Sequence, residues 1–427
     1  MSRLEPTNEA SAMQKEISAI AEQGGGTTKV EQLIQQYCPD GVEYVQFEDI
    51  FDTITDYTAA GSFKSLADNV KYLKVPDYAM LIRTTDIKSN FSKGDFIYIS
   101  KSAYDYLWRV KLDKECIVLP NVGNCGEVYY IKPDDLPYEN CALAPNAILV
   151  RSSIFNNRFL YYYLQVGAFQ KQLSKITSPV GQSKFNKTEL KKLIIPVPPL
   201  PVQEEIVRIL DTLTELQAEL QAELQKRLQQ YNYYRDNLLS FEGRTDIEWK
   251  KLGEICNLSR GKVYSKSYIE KNAGEYPVYS SQTANNGELG RISTYDYDGE
   301  YLTWTTDGAY AGTIFYRKGK FSITNVCGLI SPKEDNLNIK FLFYWLSIKA
   351  PDYVYRGMGN PKLMSNQMEP IKVPIPPLAE QQRIVSILDR FNTLTTDITA
   401  GLPAEIEARR KQYEYYRDQL LTFKQKA

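Results

Sequence analysis

Residues 195–211, IPVPPLPVQEEIVRILD, recur as residues 373–389, VPIPPLAEQQRIVSILD, with Pro196, Pro198, Pro199, Leu200, Gln203, Ile206, Val207, Ile209, Leu210 and Asp211 all repeated. Further on, residues 231–241, YNYYRDNLLSF, return as residues 413–423, YEYYRDQLLTF. Self-similarity at a fixed order means two copies of one architectural unit, and it constrains the fold more than any local propensity does. Fainter matches lie upstream. Val42-Glu43-Tyr44 and Ile50 match Ile247-Glu248-Trp249 and Ile255, and Gly126, Tyr130 and Cys141 match Gly312, Tyr316 and Cys327. FLYYYL (159–164) matches FLFYWL (341–346), and Gly181 and Lys184 match Gly359 and Lys362. Each half therefore reads as a variable globular domain, a proline-rich turn and a long helix.

Ile206, Leu210, Leu213, Leu216, Leu220, Leu224, Leu228, Tyr231 and Leu238 recur at helical steps and predict a helix over 203–239, roughly 55 Å long at about 1.5 Å per residue. In the second copy Ile384, Leu388, Phe391, Leu394, Ile398, Leu402, Ile406, Tyr413, Tyr416 and Leu420 repeat the pattern, with Gly401-Leu402-Pro403 expected to break or kink it. A one-sided stripe cannot be buried by a lone helix. The two helices are expected to pair as an antiparallel intramolecular coiled coil, because a domain folds back between them. Leu213, Leu216, Leu220, Leu224, Leu228, Tyr234, Leu394, Ile398, Ile406 and Tyr416 are the candidate spacer and partner-facing residues. The proline runs lack amide donors and should be stiff exits from the domains.

The variable domains carry short runs such as FIYI, CIVLP, VYYI, AILV, TIFY and FSIT between Gly, Asn, Asp and Pro, which read as short strands, while FLYYYL and FLFYWL read as one helix each. The fold class is α+β: two mixed α/β domains separated by two long antiparallel helices, with a pseudo-twofold repeat. The expected layout is an N-terminal helical segment (1–40), a first domain (41–196), a central helix (197–243), a second domain (244–374) and a C-terminal helix (375–427). Within the first segment a polar helix, Gly24-Gly25-Gly26 and a short helix over about 30–37 are expected.

The 427 residues contain no histidine, which removes Ser-His-Asp triads, Cys-His pairs, H-E-x-x-H zinc sites and every imidazole base. The six cysteines form no C-x-x-C pair and read as reduced thiols, with no metal site. Gly261-Lys262 is followed by Val263 where a phosphate loop needs Ser or Thr, and no Asn-Pro-Pro-Tyr or Asp-Pro-Pro-Tyr tetrad is present. Asp246 with Glu248-Trp249-Lys250 stands too close-spaced for a nuclease and reads as the start of a strand. Nothing approaches the roughly 18 apolar residues of a membrane span. The polar opening MSRLEPTNEASAMQKE offers no secretory signal, so a cytoplasmic protein is expected.

Net charge is −1, so any nucleic-acid surface must be local. Residues 171–192 carry six lysines against one Glu, and residues 250–266 five basic residues against one Glu, whereas 202–225 hold six acids against one Arg.

Two copies of P-x-P-P-L-x-x-Q-x-x-I-V-x-I-L-D, each leading to a helix ending Y-x-Y-Y-R-D-x-L-L, resemble the repeated regions of type I restriction–modification specificity subunits. The W-K-K-L-G-E-I stretch at 249–255 belongs to the same resemblance, with a weaker counterpart at 44–50. The resemblance implies a DNA-binding, non-catalytic chain whose two target recognition domains each read half of a bipartite double-stranded site. Its helices would set the gap and dock two adenine methyltransferase subunits. Those partners would use S-adenosylmethionine, and motor-nuclease subunits would use ATP and Mg; no cofactor is expected in this chain.

Polar loops near the domain mouths supply the candidates. Lys184, Lys187, Arg260, Lys262, Lys266, Arg356 and Lys362 are assigned to phosphates. Ser281, Gln282, Asn285, Thr306, Asp307 and Tyr310, with Asn121 and Asn124 in the first domain, are assigned to base edges. The alternative is a non-enzymatic coiled-coil adaptor with two protein- or glycan-binding domains.

Overall fold

The computed structural model describes residues 29–178, 181–333, 336–357, 359–396 and 401–426. The expected polar N-terminal helix, Gly24-Gly25-Gly26 and Ile398 lie outside these residues. The short helix is present as Lys29–Tyr37. The chain forms two compact units, residues 1–219 with 407–427 and residues 220–406. The division falls within the 39-residue helix Leu200–Leu238.

In the first unit the strand Tyr44–Gln46 runs antiparallel to Ile194–Pro196, with Tyr44 opposite Pro196. The chain thus arrives at and leaves the domain side by side, and Pro196 sits at the end of a two-stranded ribbon where a missing amide costs little. Beyond the ribbon lie a four-stranded sheet, ordered Thr53–Asp56, Ala147–Arg151, Cys116–Pro120, Tyr129–Ile131, and a three-stranded sheet, Ile97–Ile99, Ala79–Ile82, Cys141–Leu143. The FLYYYL run forms the helix Asn157–Tyr163.

Val202, Ile206, Leu210 and Leu213 share one buried core with Phe159, Tyr163 and Phe169 of the domain and with Leu421 and Phe423. The first turns of the long helix are therefore part of the domain core and not only a helix–helix seam, which the stripe alone did not reveal. Leu216, Tyr413 and Tyr416 pack on the same cluster. Gln217 Nε2 donates to Arg409 O at 3.2 Å, while Tyr44 Oη donates to Phe423 O at 2.9 Å near the start of the long helix. The helix segments of this unit are accordingly antiparallel.

The end of the chain closes onto the start of the first domain. Val42 N donates to Lys424 O and Lys426 N to Val42 O, each at 2.9 Å. In the second unit the matching joint is covalent, since Phe241, the counterpart of Phe423, leads through residues 242–246 into Ile247, the counterpart of Val42.

The second unit repeats the plan. Glu248–Lys251 pairs antiparallel with Lys372–Ile375. Its six-stranded sheet is ordered Cys256–Arg260, Cys327–Pro332, Tyr297–Thr305, Ile314–Ile323, Ala273–Tyr279, Glu288–Ile292. TIFY and FSIT, read as separate strands, lie in the single strand Ile314–Ile323. The intervening Gly319 (φ +93°) stands opposite Gly299 (φ +139°), so the ladder absorbs the irregularity without ending. FLFYWL lies in the helix Ile339–Lys349, whose Phe341 and Trp345 share a core with Phe241, Ile384 and Leu388.

Phe391 packs against Tyr231 and Tyr234, ring centroids 6.4 and 5.4 Å away, and Arg244 pairs with Glu380 at 2.9 Å, again an antiparallel register. Leu394, placed in the apolar stripe, is 37% exposed. Leu220, Leu224, Leu228 and Ile406 are half-buried. The C-terminal region is two helices, Leu378–Thr396 and Leu402–Leu420, with Pro403 in the first turn of the latter. Among the described residues no helix is long and apolar enough to cross a membrane.

Candidate nucleic-acid interface

The repeated tract owes its residues to the joint between domain and helix. Gln203, 1% exposed, donates from Nε2 to Pro198 O at 2.7 Å and accepts from Asn156 N at 3.1 Å. Gln381, 0% exposed, donates to Pro376 O at 2.8 Å and accepts from Asn338 N at 2.8 Å. Asn156 and Asn338 are themselves the N-caps of the domain helices. One buried amide in each copy thus ties the proline exit, the long helix and the domain together through groups that would otherwise be unsatisfied.

The repeated aspartate completes the joint. Arg158 Nε donates to Asp211 Oδ1 at 2.8 Å, and Tyr162 Oη to the same oxygen at 2.5 Å. Lys340 Nζ donates to Asp389 Oδ2 at 2.6 Å, and Tyr344 Oη to Asp389 Oδ1 at 2.7 Å. Burial first, and then the hydrogen bond to the carboxylate, pushes both phenols well above their usual pKa, so each stays a donor.

On this rigid base the second domain gathers several candidates around the turn at 324–326. Arg260 Nη2 donates to Thr306 Oγ1 at 3.0 Å, and Thr306 Oγ1 donates to Val326 O at 2.8 Å. Asp307 bridges Lys362 through the backbone, and Lys362 bridges Tyr355. Tyr310 and Tyr355, 66% and 60% exposed, stand with Arg260, Lys362 and Arg356, all exposed, in a mixed basic and aromatic surface. Lys262 forms a backbone bridge with Thr324, and its Nζ meets Asp296 Oδ1 at 2.5 Å. Lys266 is exposed in the first turn of the helix Lys266–Lys271. In the loop 280–287, Ser281 and Gln282 are half-buried and Asn285 is exposed.

In the first domain a backbone bridge between Val122 and Lys184 brings Asn121, Asn124 and Lys184 together. Asn121 lines a cavity of about 710 Å³ shared with Tyr57, Phe63 and Tyr72, and its Oδ1 is buried without a hydrogen-bond partner.

Two stretches of the chain, residues 39–230 and 245–408, match the family model of the type I restriction modification DNA specificity domain. The chain belongs to the type I specificity subunits. A Mycoplasma pneumoniae chain named as type I specificity subunit S.MpnORF615P is 45% identical over 234 residues, 53% of this subunit and 92% of that one. The Escherichia coli EcoR124I/EcoR124II specificity subunit is 35% identical over 258 residues, 55% of this subunit and 63% of that one. The fold is similar to that of the type I restriction–modification S subunit from M. genitalium, with a TM-score of 0.56 at 15% identity over 89% of this subunit and 96% of that chain.

Within this specificity subunit some candidates are committed to internal partners. Thr306, assigned to base reading, is fully buried with its hydroxyl used twice, so it holds Arg260 in place instead. Lys187 is half-buried and ion-paired with Asp56 at 2.9 Å, so a phosphate would have to compete with that carboxylate. Gln282 Nε2 donates to Glu288 O, occupying one of its two amide hydrogens. Sequence reasoning overlooked Phe63, Trp108 and Tyr355, which are 83%, 63% and 60% exposed. Phe63 and Trp108 begin short helices, and an aromatic residue reads as core unless its surroundings are known.

Proposed function

We propose that this specificity subunit reads a bipartite double-stranded DNA site, residues 41–196 taking one half and residues 244–374 the other. In this reading the helices of 197–243 and 375–427 set the gap and dock two adenine methyltransferase subunits. Those subunits supply S-adenosylmethionine chemistry, and motor-nuclease subunits add ATP- and Mg-dependent translocation and cleavage. This chain contributes recognition without a catalytic step, in the cytoplasm.

The observation that carries the reading is the duplicated joint, Gln203 with Asp211 and Gln381 with Asp389, which fixes each domain to its own helix in the same way. Two binding surfaces held by equivalent mounts suit a ligand offering two separated half-sites. Exposed Arg260, Lys362, Arg356 and Lys184 would contact phosphates, with Tyr310, Asp307, Asn285 and Asn124 toward base edges.

The test is methylation mapping in a methylation-free host that expresses the chain with its methyltransferase subunit. A motif of two short half-sites with a fixed gap, lost when this chain is omitted, is the expected result. A correctly assembled complex that leaves no such motif would overturn the reading.

A further inference from the structure

Arg317 lies in the strand Ile314–Ile323 and is 2% exposed. Its Nε donates to Thr303 Oγ1 at 3.1 Å, but Nη1 and Nη2 are buried without any hydrogen-bond partner. The guanidinium lies over two rings, 3.6 Å from the centroid of Tyr279 and 4.5 Å from that of Phe315. Such stacking offsets part of the cost of burying the cation, yet it leaves the two terminal donors unused. Burial lowers the arginine's pKa, while Tyr279, Cys327 and Glu288 act in the opposite direction. A buried, half-satisfied cation is a poor stabilising device, since an apolar residue of similar size would pack there without the penalty.

What covers the fork is the loop 280–287. Ser280 N donates to Gly287 O at 2.9 Å, and Gln282 Nε2 to Glu288 O, which hold the loop down. Asn285, Asn286 and Gly287 take φ of +49°, +52° and +80°, three successive left-handed residues of which only the last is a glycine. Asparagine tolerates this region better than other non-glycine side chains, though less well than glycine, so the turn is held down by its hydrogen bonds more than by backbone preference. A Cβ on Gly287 would lie 2.9 Å from Arg317 Nη2, so the absent side chain is what lets the loop close over the arginine.

We propose that Arg317 is a DNA-contacting residue of the second domain, a planar fork packed on Tyr279 and Phe315 that takes a pair of adjacent acceptors when the loop 280–287 lifts. This rests on the DNA reading above. Adjacent acceptors of the right geometry are offered by the O6 and N7 edge of guanine and by two oxygens of a phosphate. The first domain places Ile131 at the corresponding point of the repeat, so the effect belongs to one half-site only.

The experiment uses the full chain assembled with its methyltransferase subunit. The wild-type complex must first yield a two-part methylation motif; without one it is the DNA reading that fails, not this proposal. Arg317→Met is then expected to keep or raise the melting temperature and to weaken binding roughly 5- to 150-fold, the range of one bidentate contact. A guanine partner would show as relaxed preference at one base of one half-site. A phosphate partner would show as uniform weakening with the salt slope reduced by about one. Unchanged motif, affinity and salt slope in a folded Arg317→Met complex would overturn the proposal. Gly287→Ala is a second variant that leaves Arg317 intact; at φ +80° it strains the loop and not the strand that carries the arginine. By crowding Nη2 it should favour the lifted loop and tighten DNA binding several-fold while Arg317 is present, and weaker binding there would overturn the proposal as well.

Discussion

Arg158 donates to Asp211 at 2.8 Å, and the pair joins the first domain's helix Asn157–Tyr163 to the long helix Leu200–Leu238. Asp211 is the last residue of the repeated tract, so the tract is a mount whose final side chain fastens the domain it follows. Replacing Asp211 by Ala strands Arg158 and Tyr162 together. The expected loss is about 1–2 kcal/mol, discounted for an aspartate side chain still 35% exposed. Chemical denaturation of the full chain followed by a probe in the first unit measures it.

Gln381→Leu should be costlier. It leaves the Pro376 and Asn336 carbonyls and the Asn338 amide without the partners that Gln381 provides. A loss of about 3 kcal/mol in the second unit is expected from buried polar groups left unpaired. Full stability in urea titrations would show that the amide is dispensable.

Gly41 has φ +106°, and a Cβ there would lie 2.6 Å from Lys424 O. Gly41→Val should therefore open the closure between Val42 and residues 424–426. The predicted signature is faster amide exchange at Val42 and Lys426, with the amides of Lys250 and Val373 in the second unit unaffected.

Burial raises the Glu205 pKa, but Arg208 and Lys29 outweigh it and hold the carboxyl below the usual carboxylate range. A depressed folded-state pKa adds stability that is present above the unfolded value, near 4.3, and lost as pH falls through the folded value. Between neutral pH and about pH 4.3 the contribution should stay whole, and below that it should fade. Glu205→Gln is expected to flatten that acid limb in thermal melts taken across the range, while lowering stability at neutral pH.

Thr214-Glu215-Leu216-Gln217, Ala218-Glu219-Leu220-Gln221 and Ala222-Glu223-Leu224-Gln225 are tandem tetrapeptides inside the unbroken helix Leu200–Leu238. One more unit adds about 6 Å, close to two base-pair steps of about 3.4 Å. Methylation mapping of that variant should show both half-sites kept and the gap changed by one or two base pairs. An unchanged gap would remove the spacer role.

The architecture was legible in the sequence where one residue type has one structural meaning. Duplicate Pro-Pro runs must end a domain, because proline can neither donate to a ladder nor sit inside a helix. Leucines at helical spacing predict a long helix with one apolar face, and Gly401-Leu402-Pro403 an interruption of the second one. The absence of histidine excluded imidazole-based catalysis before any fold was known.

Which partner each side chain takes was decided only by the tertiary structure. Leu213 serves the domain core and Leu394 stays exposed, although both fit the same stripe, because burial depends on what lies opposite a helix face. Thr306 and Lys187 looked like free polar residues in loops, yet Val326, Arg260 and Asp56 engage them from 20, 46 and 131 residues away. Arg317 carried no local signal at all. In sequence it is a basic residue between Tyr316 and Lys318 in a strand, and only the fold places Tyr279, Phe315 and the loop 280–287 around it, turning a surface-type residue into a buried cation with two donors unused. Backbone preference acts over a few residues and is written locally; desolvation and pairing act across the folded chain, and these set which polar side chains stay free at the surface.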